Sequence, residues 1–297
     1  MFETQASTPL PNLTTSLLVE KELKLYVKRD DLIHPTISGN KWRKLKYNLL
    51  KAREAGYTQL LTFGGAYSNH IAATAAAAKA YGFHSIGIIR GEELNESSNK
   101  TLTQATENGM DLQFISREKY RQKEQEDFIN SLGKEYGDFY LIPEGGSNAL
   151  AVKGCTEIVS EIDIDFDCII SAVGTGGTLS GIACGLHEHQ KAVGISALKG
   201  ANYLDDEVKY LIQAYSGNEL NNWQINHEYH LGGYAKVNDD LLHFIEKFKR
   251  EHEIQLDQVY TGKMMKALFD LIEKDYFKKG STIIALHTGG LQGISEL

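Results

Sequence analysis

Ser38-Gly39-Asn40-Lys41-Trp42-Arg43-Lys44 brings a lysine to the start of a predicted helix directly after a glycine turn. Glycine supplies the permissive backbone of the turn, and the run that follows Lys41 has the apolar spacing of an amphipathic helix. The positive end of the helix macrodipole disfavours a second positive charge and should lower the pKa of Lys41. A lowered pKa is what a Schiff-base lysine requires, although a solvated surface lysine is the competing interpretation of this window alone.

Length and composition restrict the class of protein. With 297 residues the chain is long enough for its core to divide in two, so two domains are expected. Hydrophobic residues make up 42% and charged residues 24%, as in ordinary soluble globular proteins. The net charge of −8 argues against a nucleic-acid partner and favours a small-molecule substrate.

Targeting and metal signals are weak. The first five residues lack the basic and apolar parts of a signal peptide, and no apolar run is long enough to span a bilayer. A cytoplasmic location without a membrane partner is therefore expected. The three cysteines suit reduced thiols, and Cys184, His187 and His189 lack the second ligand pair of a structural zinc site, so no metal is predicted.

Strand and helix patterns alternate along most of the chain, which predicts βαβ units on parallel sheets. Strands are predicted at 23–28, 59–63, 84–90, 112–115, 140–142, 168–173, 192–198 and 282–287. Helices are predicted at 41–55, after Ser68-Asn69-His70, within 92–108, along the charged stretch 117–134, from about 179, within 202–220, at 239–252 and from Tyr260-Thr261-Gly262-Lys263.

Two further predicted helix starts have distinctive sequences. Gly174-Thr175-Gly176-Gly177-Thr178 lies between a strand and a helix, where free amides and the helix dipole favour an anion such as phosphate. Its spacing matches neither the dinucleotide fingerprint nor an NTP-binding loop. Ser68 and Asn69 precede a helix of small residues, and helix capping is the simplest interpretation of this pair.

Together these segments resemble the pyridoxal-phosphate (PLP) enzymes of the D-cysteine desulfhydrase and 1-aminocyclopropane-1-carboxylate (ACC) deaminase family, which have the fold of the tryptophan synthase beta chain (fold type II). The matching pieces run in family order along nearly the whole chain and are specific in combination. They are Lys28-Arg29-Asp30-Asp31, Gly39-Asn40-Lys41, Ser68-Asn69-His70, Pro143-Glu144-Gly145-Gly146-Ser147-Asn148, Gly174-Thr175-Gly176-Gly177-Thr178, Tyr260-Thr261-Gly262-Lys263 and His287-Thr288-Gly289-Gly290.

The resemblance implies an α/β fold of two domains, each an open, mostly parallel sheet flanked by helices, with pyridoxal 5'-phosphate in the cleft between them. It places a larger PLP-binding domain at 1–44 and 156–297 and a smaller inserted domain at 45–155. It also implies a homodimer. The charged residues of 29–31 would frame the lysine loop without taking part in the chemistry.

The resemblance also assigns roles to individual residues. Lys41 would bind the cofactor covalently and then act as a base, and the amides of Gly174, Thr175, Gly176, Gly177 and Thr178 would bind its phosphate. Asn69 would contact the ring hydroxyl and Thr288 would lie near the pyridine nitrogen. Ser68, Tyr234 and Tyr260 are candidates for acid–base work or substrate orientation. His70 has a weaker case and could serve packing alone.

Two threonines bear on the reaction. ACC deaminases carry glutamate at the position of Thr261 and leucine at that of Thr288, whereas the desulfhydrase-type members resemble this chain in both. The resemblance therefore favours a PLP-dependent lyase that eliminates sulfide and ammonia from D-cysteine and leaves pyruvate. An ACC deaminase, another dehydratase or racemase of this fold and a PLP-binding protein without catalytic activity are the alternatives.

Overall fold

The computed structural model describes residues 7–34, 36–37 and 39–291; Ser38 lies outside them. The strands are β1 Asn12–Leu13, β2 Lys24–Lys28, β3 Gln59–Gly65, β4 His84–Arg90, β5 Met110–Ile115, β6 Tyr140–Ile142, β7 Cys168–Val173, β8 Lys191–Ser196, β9 Trp223–Asn226 and β10 Thr282–Leu286. The helices are α1 Ser16–Glu20, α2 Asn40–Glu54, α3 Asn69–Tyr81, α4 Lys100–Glu107, α5 Arg117–Tyr120, α6 Glu126–Tyr136, α7 Ala149–Ser160, α8 Gly177–Gly185, α9 Tyr203–Ser216, α10 Asp239–His252 and α11 Thr261–Glu273.

The larger sheet has six strands in the order β1-β2-β10-β7-β8-β9. All neighbours are parallel except β1, which runs antiparallel to β2. One face packs on α10 and α11 through residues such as Ile170 and Met264. The other face packs on α7, α8 and α9 through residues such as Ile169 and Leu179. Helices on both faces explain why every residue of β7 is buried, as in other parallel strands covered on both sides.

The smaller sheet has four parallel strands in the order β5-β4-β3-β6. On one face it packs against α2, α3 and α4, and the alanines of α3 let that helix lie close to the sheet. On the other face it packs against α5 and α6 through Phe63 and Phe128. The predicted fold class, two open and mostly parallel sheets flanked by helices, is confirmed.

The strands of the smaller sheet fall within residues 59–142, between the second and the seventh strand of the chain. Helices α2 and α7 connect the two sheets along the chain. The domain limits predicted at 44/45 and 155/156 therefore each fall inside one of these two helices. Because α7 contributes Cys155 and Ile158 to the core of the larger sheet, its packing belongs with that sheet.

A buried ionic network fixes the start of α2 against the larger sheet. The Arg43 guanidinium donates to both carboxylate oxygens of Asp30, at 2.6 and 2.9 Å, and to both of Glu161, at 2.8 and 2.7 Å. Lys28 adds a bond of 3.0 Å to Glu161. Asp30 thus frames the lysine helix by holding a residue two positions beyond Lys41.

The structure differs from the predicted elements in two ways. The charged stretch 117–134 forms two helices, α5 and α6, because residues 121–125 turn between them. Helices α1 and α7 and the short edge strands β1 and β9 were not predicted. No helix in the described ranges has the length and apolar character needed to cross a membrane.

Candidate active site

A cavity of about 630 Å³ lies between the two sheets, at the carboxyl ends of their strands. Gly174 follows β7 and Thr288 follows β10 in the larger sheet, while Gly65 ends β3 and Arg90 ends β4 in the smaller one. This edge is where ligands of open parallel sheets bind, because loops from several strands converge there. The site residues predicted from sequence that line this cavity are Lys41, Ser68, Asn69, Gly174, Thr175, Gly176, Thr178, Tyr234, Tyr260 and Thr288.

Lys41 is the second residue of α2, and the end of β10 determines where this helix begins. The Asn40 N–H donates to the Thr288 carbonyl at 3.1 Å. Gly39 is in the left-handed region at φ +57°, and a Cβ on it would lie 1.8 Å from the same oxygen. Only glycine allows this backbone approach, so the glycine before the lysine has a steric reason.

Lys41 is partly buried on the cavity wall, and the pKa of its amine is lowered to about 7. Burial is the main cause and the positive charge of Lys44 the second, while the charge of Asp257 acts in the opposite direction. The predicted direction of the shift is found, with burial and a neighbouring lysine as its causes. The Lys41 Nζ donates to Asn40 Oδ1 at 2.9 Å. A large share of the amine is thus neutral near pH 7.

Lys44 completes the glycine-rich turn, and the sequence analysis missed it. Its Nζ donates to Gly145 O at 3.0 Å, to Ser147 Oγ at 2.9 Å and to Thr175 Oγ1 at 3.3 Å. Burial lowers its pKa to about 8. The available signal was its spacing of three from Lys41, which puts both side chains on one face of α2.

Space around this ammonium depends on glycine. A Cβ on Gly177 would lie 2.8 Å from Ser147 Oγ and 3.0 Å from Lys44 Nζ. Gly177 is buried at the first position of α8 and is the one member of the predicted turn that is not on the cavity wall. The turn, the start of α8 and the Lys44 ammonium are the groups that could hold a phosphate, and of these the Gly177 N–H already donates to the Thr175 carbonyl at 3.0 Å.

The start of α3 forms the opposite wall. Ser68 Oγ accepts from the Ile71 N–H at 3.3 Å, so the predicted capping role of Ser68 is confirmed. Asn69 lies beside Gly290, where a Cβ would be 2.9 Å from Asn69 Nδ2. Ser68 and Asn69 both line the cavity.

His70 is buried behind this wall. Its Nε2 lies 2.7 Å from Thr62 Oγ1, and because that hydroxyl donates to the Ile142 carbonyl at 2.8 Å, we assign the ring proton to Nε2. Nδ1 then carries a lone pair without a hydrogen-bond partner in the described part of the chain. Burial and the charges of Lys41 and Lys44 keep the pKa of His70 well below its usual value, so the ring is neutral.

Tyr234 and Tyr260 lie side by side, with ring centroids 6.2 Å apart. Burial raises the pKa of the Tyr260 phenol well above its usual value, and the neighbouring Tyr234 and the Asp257 carboxylate add to the shift. Burial also raises the pKa of Tyr234, partly offset by the charge of Arg90. Both phenols therefore hold their protons at neutral pH and can donate them.

Thr261 does not reach the cavity. Its hydroxyl donates to Asp257 Oδ2 at 2.6 Å, and the same carboxylate accepts the backbone N–H groups of Val259, Tyr260 and Thr261 at 2.7 to 2.8 Å. Thr261 and Asp257 thus fix the start of α11, from which the Tyr260 ring extends. Any influence of Thr261 on the reaction has to act through this carboxylate or through Tyr260.

The two sheets enclose one cavity that carries a lysine of lowered pKa, a glycine-rich turn suited to phosphate and two protonated phenols. This is the arrangement of an enzyme whose cofactor carries an aldehyde and a phosphate. The residues present fit pyridoxal phosphate, since Lys41 offers the amine and Lys44 with the α8 start offers the phosphate site. The family model described as pyridoxal-phosphate dependent enzyme matches residues 2–289, and the chain belongs to that family. The predictions of a PLP-dependent enzyme and of pyridoxal 5'-phosphate as its cofactor are confirmed.

Individual relatives cover nearly the whole chain. A protein of Pyrococcus horikoshii provisionally named 1-aminocyclopropane-1-carboxylate deaminase is 32% identical over 96% of this chain and 88% of its own length. The mitochondrial bifunctional D-cysteine desulfhydrase/1-aminocyclopropane-1-carboxylate deaminase of Arabidopsis thaliana is 32% identical over 92% of this chain and 74% of its own. The crystal structure of an ACC deaminase homologue superposes with a TM-score of 0.85 at 30% identity, covering 98% of this chain and 91% of that one.

Proposed function

We propose that this PLP-dependent enzyme is a lyase acting on a small amino acid, with α,β-elimination of D-cysteine to pyruvate, ammonia and sulfide as its reaction. The observation that carries the proposal is the arrangement around one cavity of a Lys41 amine with a pKa of about 7 and two phenols that keep their protons. An elimination needs both functions, because a proton leaves the α-carbon and the departing sulfur must take one up.

The residues divide this work by chemistry. Bound pyridoxal phosphate supplies the electron sink that weakens the bonds at the α-carbon of an amino acid. The Lys41 amine, neutral in part at pH 7, is the base for the α-proton, and Tyr260 or Tyr234 is the acid for the leaving group. Lys44 and the α8 amides hold the phosphate, Asn69 and Thr288 orient the ring, and Ser68 is a second candidate for proton transfer.

ACC ring opening is the second candidate, and the name of the Pyrococcus relative favours it, whereas the Arabidopsis relative is named for both activities. The threonines found at positions 261 and 288 support the desulfhydrase assignment, because the resemblance associates other residues with ACC deaminases. A dehydratase or racemase of this fold and a PLP-binding protein without turnover remain the further alternatives.

The deciding experiment measures 2-oxo acid release by the PLP-loaded protein from D-cysteine and from ACC in parallel. Pyruvate from D-cysteine alone supports the proposal, and Lys41→Ala should abolish it. Oxobutyrate from ACC would make the chain an ACC deaminase and would show that Thr261 and Thr288 do not discriminate. No 2-oxo acid from either compound would contradict both assignments.

We propose the homodimer from the resemblance and the cytoplasmic location from the three cysteines, which suit reduced thiols. Light scattering of the PLP-loaded protein measures its molar mass directly, and a monomer would contradict the predicted assembly.

A further inference from the structure

The mouth of the active-site cavity carries more positive charge than the proposed chemistry uses. Besides Lys41 and Lys44, the cavity wall includes the exposed cations Arg90, Lys199 and Lys236, whereas Glu144 is the one carboxylate on the wall among the described residues. The whole chain has a net charge of −8, so this excess of cations is not a consequence of composition. Lys44 and the α8 start already account for a phosphate.

A second cavity of about 710 Å³ continues outward from the first. Both are lined by Gly65, Arg90, Glu144, Tyr203 and Tyr234. The outer cavity adds three cations, Arg117, Arg121 and Lys123. Each of its two carboxylates lies beside one of these cations. Glu93 pairs with Arg117 at 2.5 Å and Glu144 lies 3.6 Å from Lys123.

Arg90 stands where the two cavities meet. It is the last residue of β4 and pairs in register with Gly65, where a Cβ would lie 3.5 Å from Arg90 Nη2. Its guanidinium lies 5.7 Å from the centroid of the Tyr120 ring and makes no hydrogen bond or ion pair with the residues that the structure describes. On the inner side its charge reaches Tyr234, whose pKa it lowers against the effect of burial.

An arginine whose guanidinium lies over an aromatic ring and has no hydrogen-bond partner keeps its fork of N–H donors available, and that fork matches a carboxylate, sulfonate or phosphate. Because Arg90 belongs to both cavities, a group that extends outward from an amino acid in the inner cavity can reach it. Lys199 and Lys236 add a field of the same sign at this mouth.

We propose that Arg90 binds a second anionic group, carried on the substrate side chain beyond the β-carbon. The inference rests on the proposed elimination and names its substrate class, β-substituted alanines whose substituent ends in an anion. For an S-linked substituent the α-proton goes to the base and the Cβ–S bond breaks with its electrons on sulfur, which takes up a proton. Water then converts the remaining three-carbon enamine into pyruvate and ammonia.

The test compares two substrates of nearly equal shape, S-carboxymethyl-D-cysteine and its neutral amide S-carbamoylmethyl-D-cysteine. The PLP-loaded wild type should show a kcat/KM at least tenfold higher for the carboxylate compound. Arg90→Gln should bring the ratio of the two values close to one, and Arg90→Lys should retain part of the preference. Arg117→Gln is the matched control, because Glu93 already occupies that guanidinium, and it should keep the wild-type ratio.

Equal kcat/KM values for the two compounds in the wild type would overturn the proposal. An equal loss on both compounds in Arg90→Gln would also overturn it, because Arg90 would then act on the amino-acid part that they share. If D-cysteine and both compounds give no pyruvate, the proposed elimination has failed, and calorimetric binding to the PLP-loaded protein decides the role of Arg90. Tighter binding of the carboxylate compound that is lost in Arg90→Gln supports the subsite, and equal binding refutes it.

Discussion

Lys41 and Lys44 lie on one turn of α2 but have different proposed roles, Lys41 as the reactive amine and Lys44 as a phosphate ligand. Lys44 is buried and Lys41 partly buried, and Lys44 is surrounded by a carbonyl and two hydroxyls while Lys41 meets a single amide oxygen. The pKa is lowered to about 8 for Lys44 and to about 7 for Lys41, where the positive charge of Lys44 adds to the effect of burial. The charge of Lys44 therefore helps to make its neighbour reactive.

Lys44→Met should raise the pKa of Lys41, because it removes a positive charge that disfavours protonation of that amine. The rate at which cyanate labels Lys41 in the cofactor-free protein, followed by mass spectrometry, should rise through about pH 7 in the wild type and at higher pH in the variant. Lys51→Met, on the exposed side of α2, should leave the midpoint unchanged. An unchanged midpoint in Lys44→Met would show that burial alone sets the pKa.

Gly39→Ala should destabilise the fold more than Gly56→Ala. Both glycines have positive φ, but a Cβ on Gly56 meets nothing within 4 Å, whereas one on Gly39 would lie 1.8 Å from the Thr288 carbonyl. Gly56→Ala should cost about 1–2 kcal/mol for the left-handed backbone, and Gly39→Ala should cost more because α2 must also move away from β10. Urea unfolding measures both, and equal costs would contradict the close contact.

At the scale of elements, the segment that carries Tyr234 depends on α11. Residues 230–236 form a loop between β9 and α10, and the buried Lys263 Nζ donates to its carbonyls at His230, 2.9 Å, and Gly233, 2.7 Å. Across the cavity the Tyr234 hydroxyl donates to the Tyr67 carbonyl at 3.3 Å. The loop thus extends from the larger sheet to the smaller one, and the Lys263 ammonium fixes the end of the loop on the side of the larger sheet.

Lys263→Met should loosen this loop and weaken catalysis, because it leaves two carbonyls without their charged donor. We expect faster hydrogen exchange across residues 230–236 and a fall of about tenfold in kcat/KM, the size expected for hydrogen bonds to a charged group. Lys266→Met is the matched control on the same helix, since that lysine pairs with an exposed carboxylate, Asp240. A slower reaction with unchanged exchange would show that Lys263 does not act through the loop.

Local patterns predicted most elements, and the misses have physical reasons. The predicted limits of α10 agree with the structure, because a strong apolar stripe follows the Asn238 cap. Helix α7 had a comparable signal, the Asn148 cap before apolar residues at 151, 152, 155 and 158, which was overlooked. Strand β9, Trp223–Asn226, alternates apolar and polar residues over four positions only, too few to predict a strand, and it forms by pairing with the edge of β8.

At the scale of the whole molecule, the ion network of Lys28, Asp30, Arg43 and Glu161 ties α2 and α7 to the larger sheet. Asp30→Ala should lower the free energy of unfolding by about 3–5 kcal/mol, since it leaves the buried Arg43 charge partly unpaired. Glu93→Ala breaks an exposed, solvent-screened pair with Arg117 and should leave the urea midpoint nearly unchanged. Urea unfolding compares them, and similar losses would mean that Glu161 alone compensates Arg43.

The composition of the site was largely predictable, whereas its assembly was not. Motif resemblance identified Lys41 and the Gly174–Thr178 turn, because their chemistry is local to a few residues. Lys44 was missed because its partners, Gly145, Ser147 and Thr175, lie far away in sequence and become neighbours only when the two sheets meet. The position of Arg90 between the two cavities was not predictable for the same reason, since the residues that line both cavities are distant in sequence.

The place of β10 in the larger sheet has a consequence for synthesis on the ribosome. It is the last strand within the residues that the structure describes, yet it lies between β2 and β7, and the residues just after it hold Gly39 and Asn40 in place. A nascent chain that lacks it has a gap in the middle of this sheet, while the segment 59–142 already contains every strand of the smaller sheet. Folding should thus begin with the smaller sheet. Lys41 can bind the cofactor only after β10 and the residues that follow it have been translated.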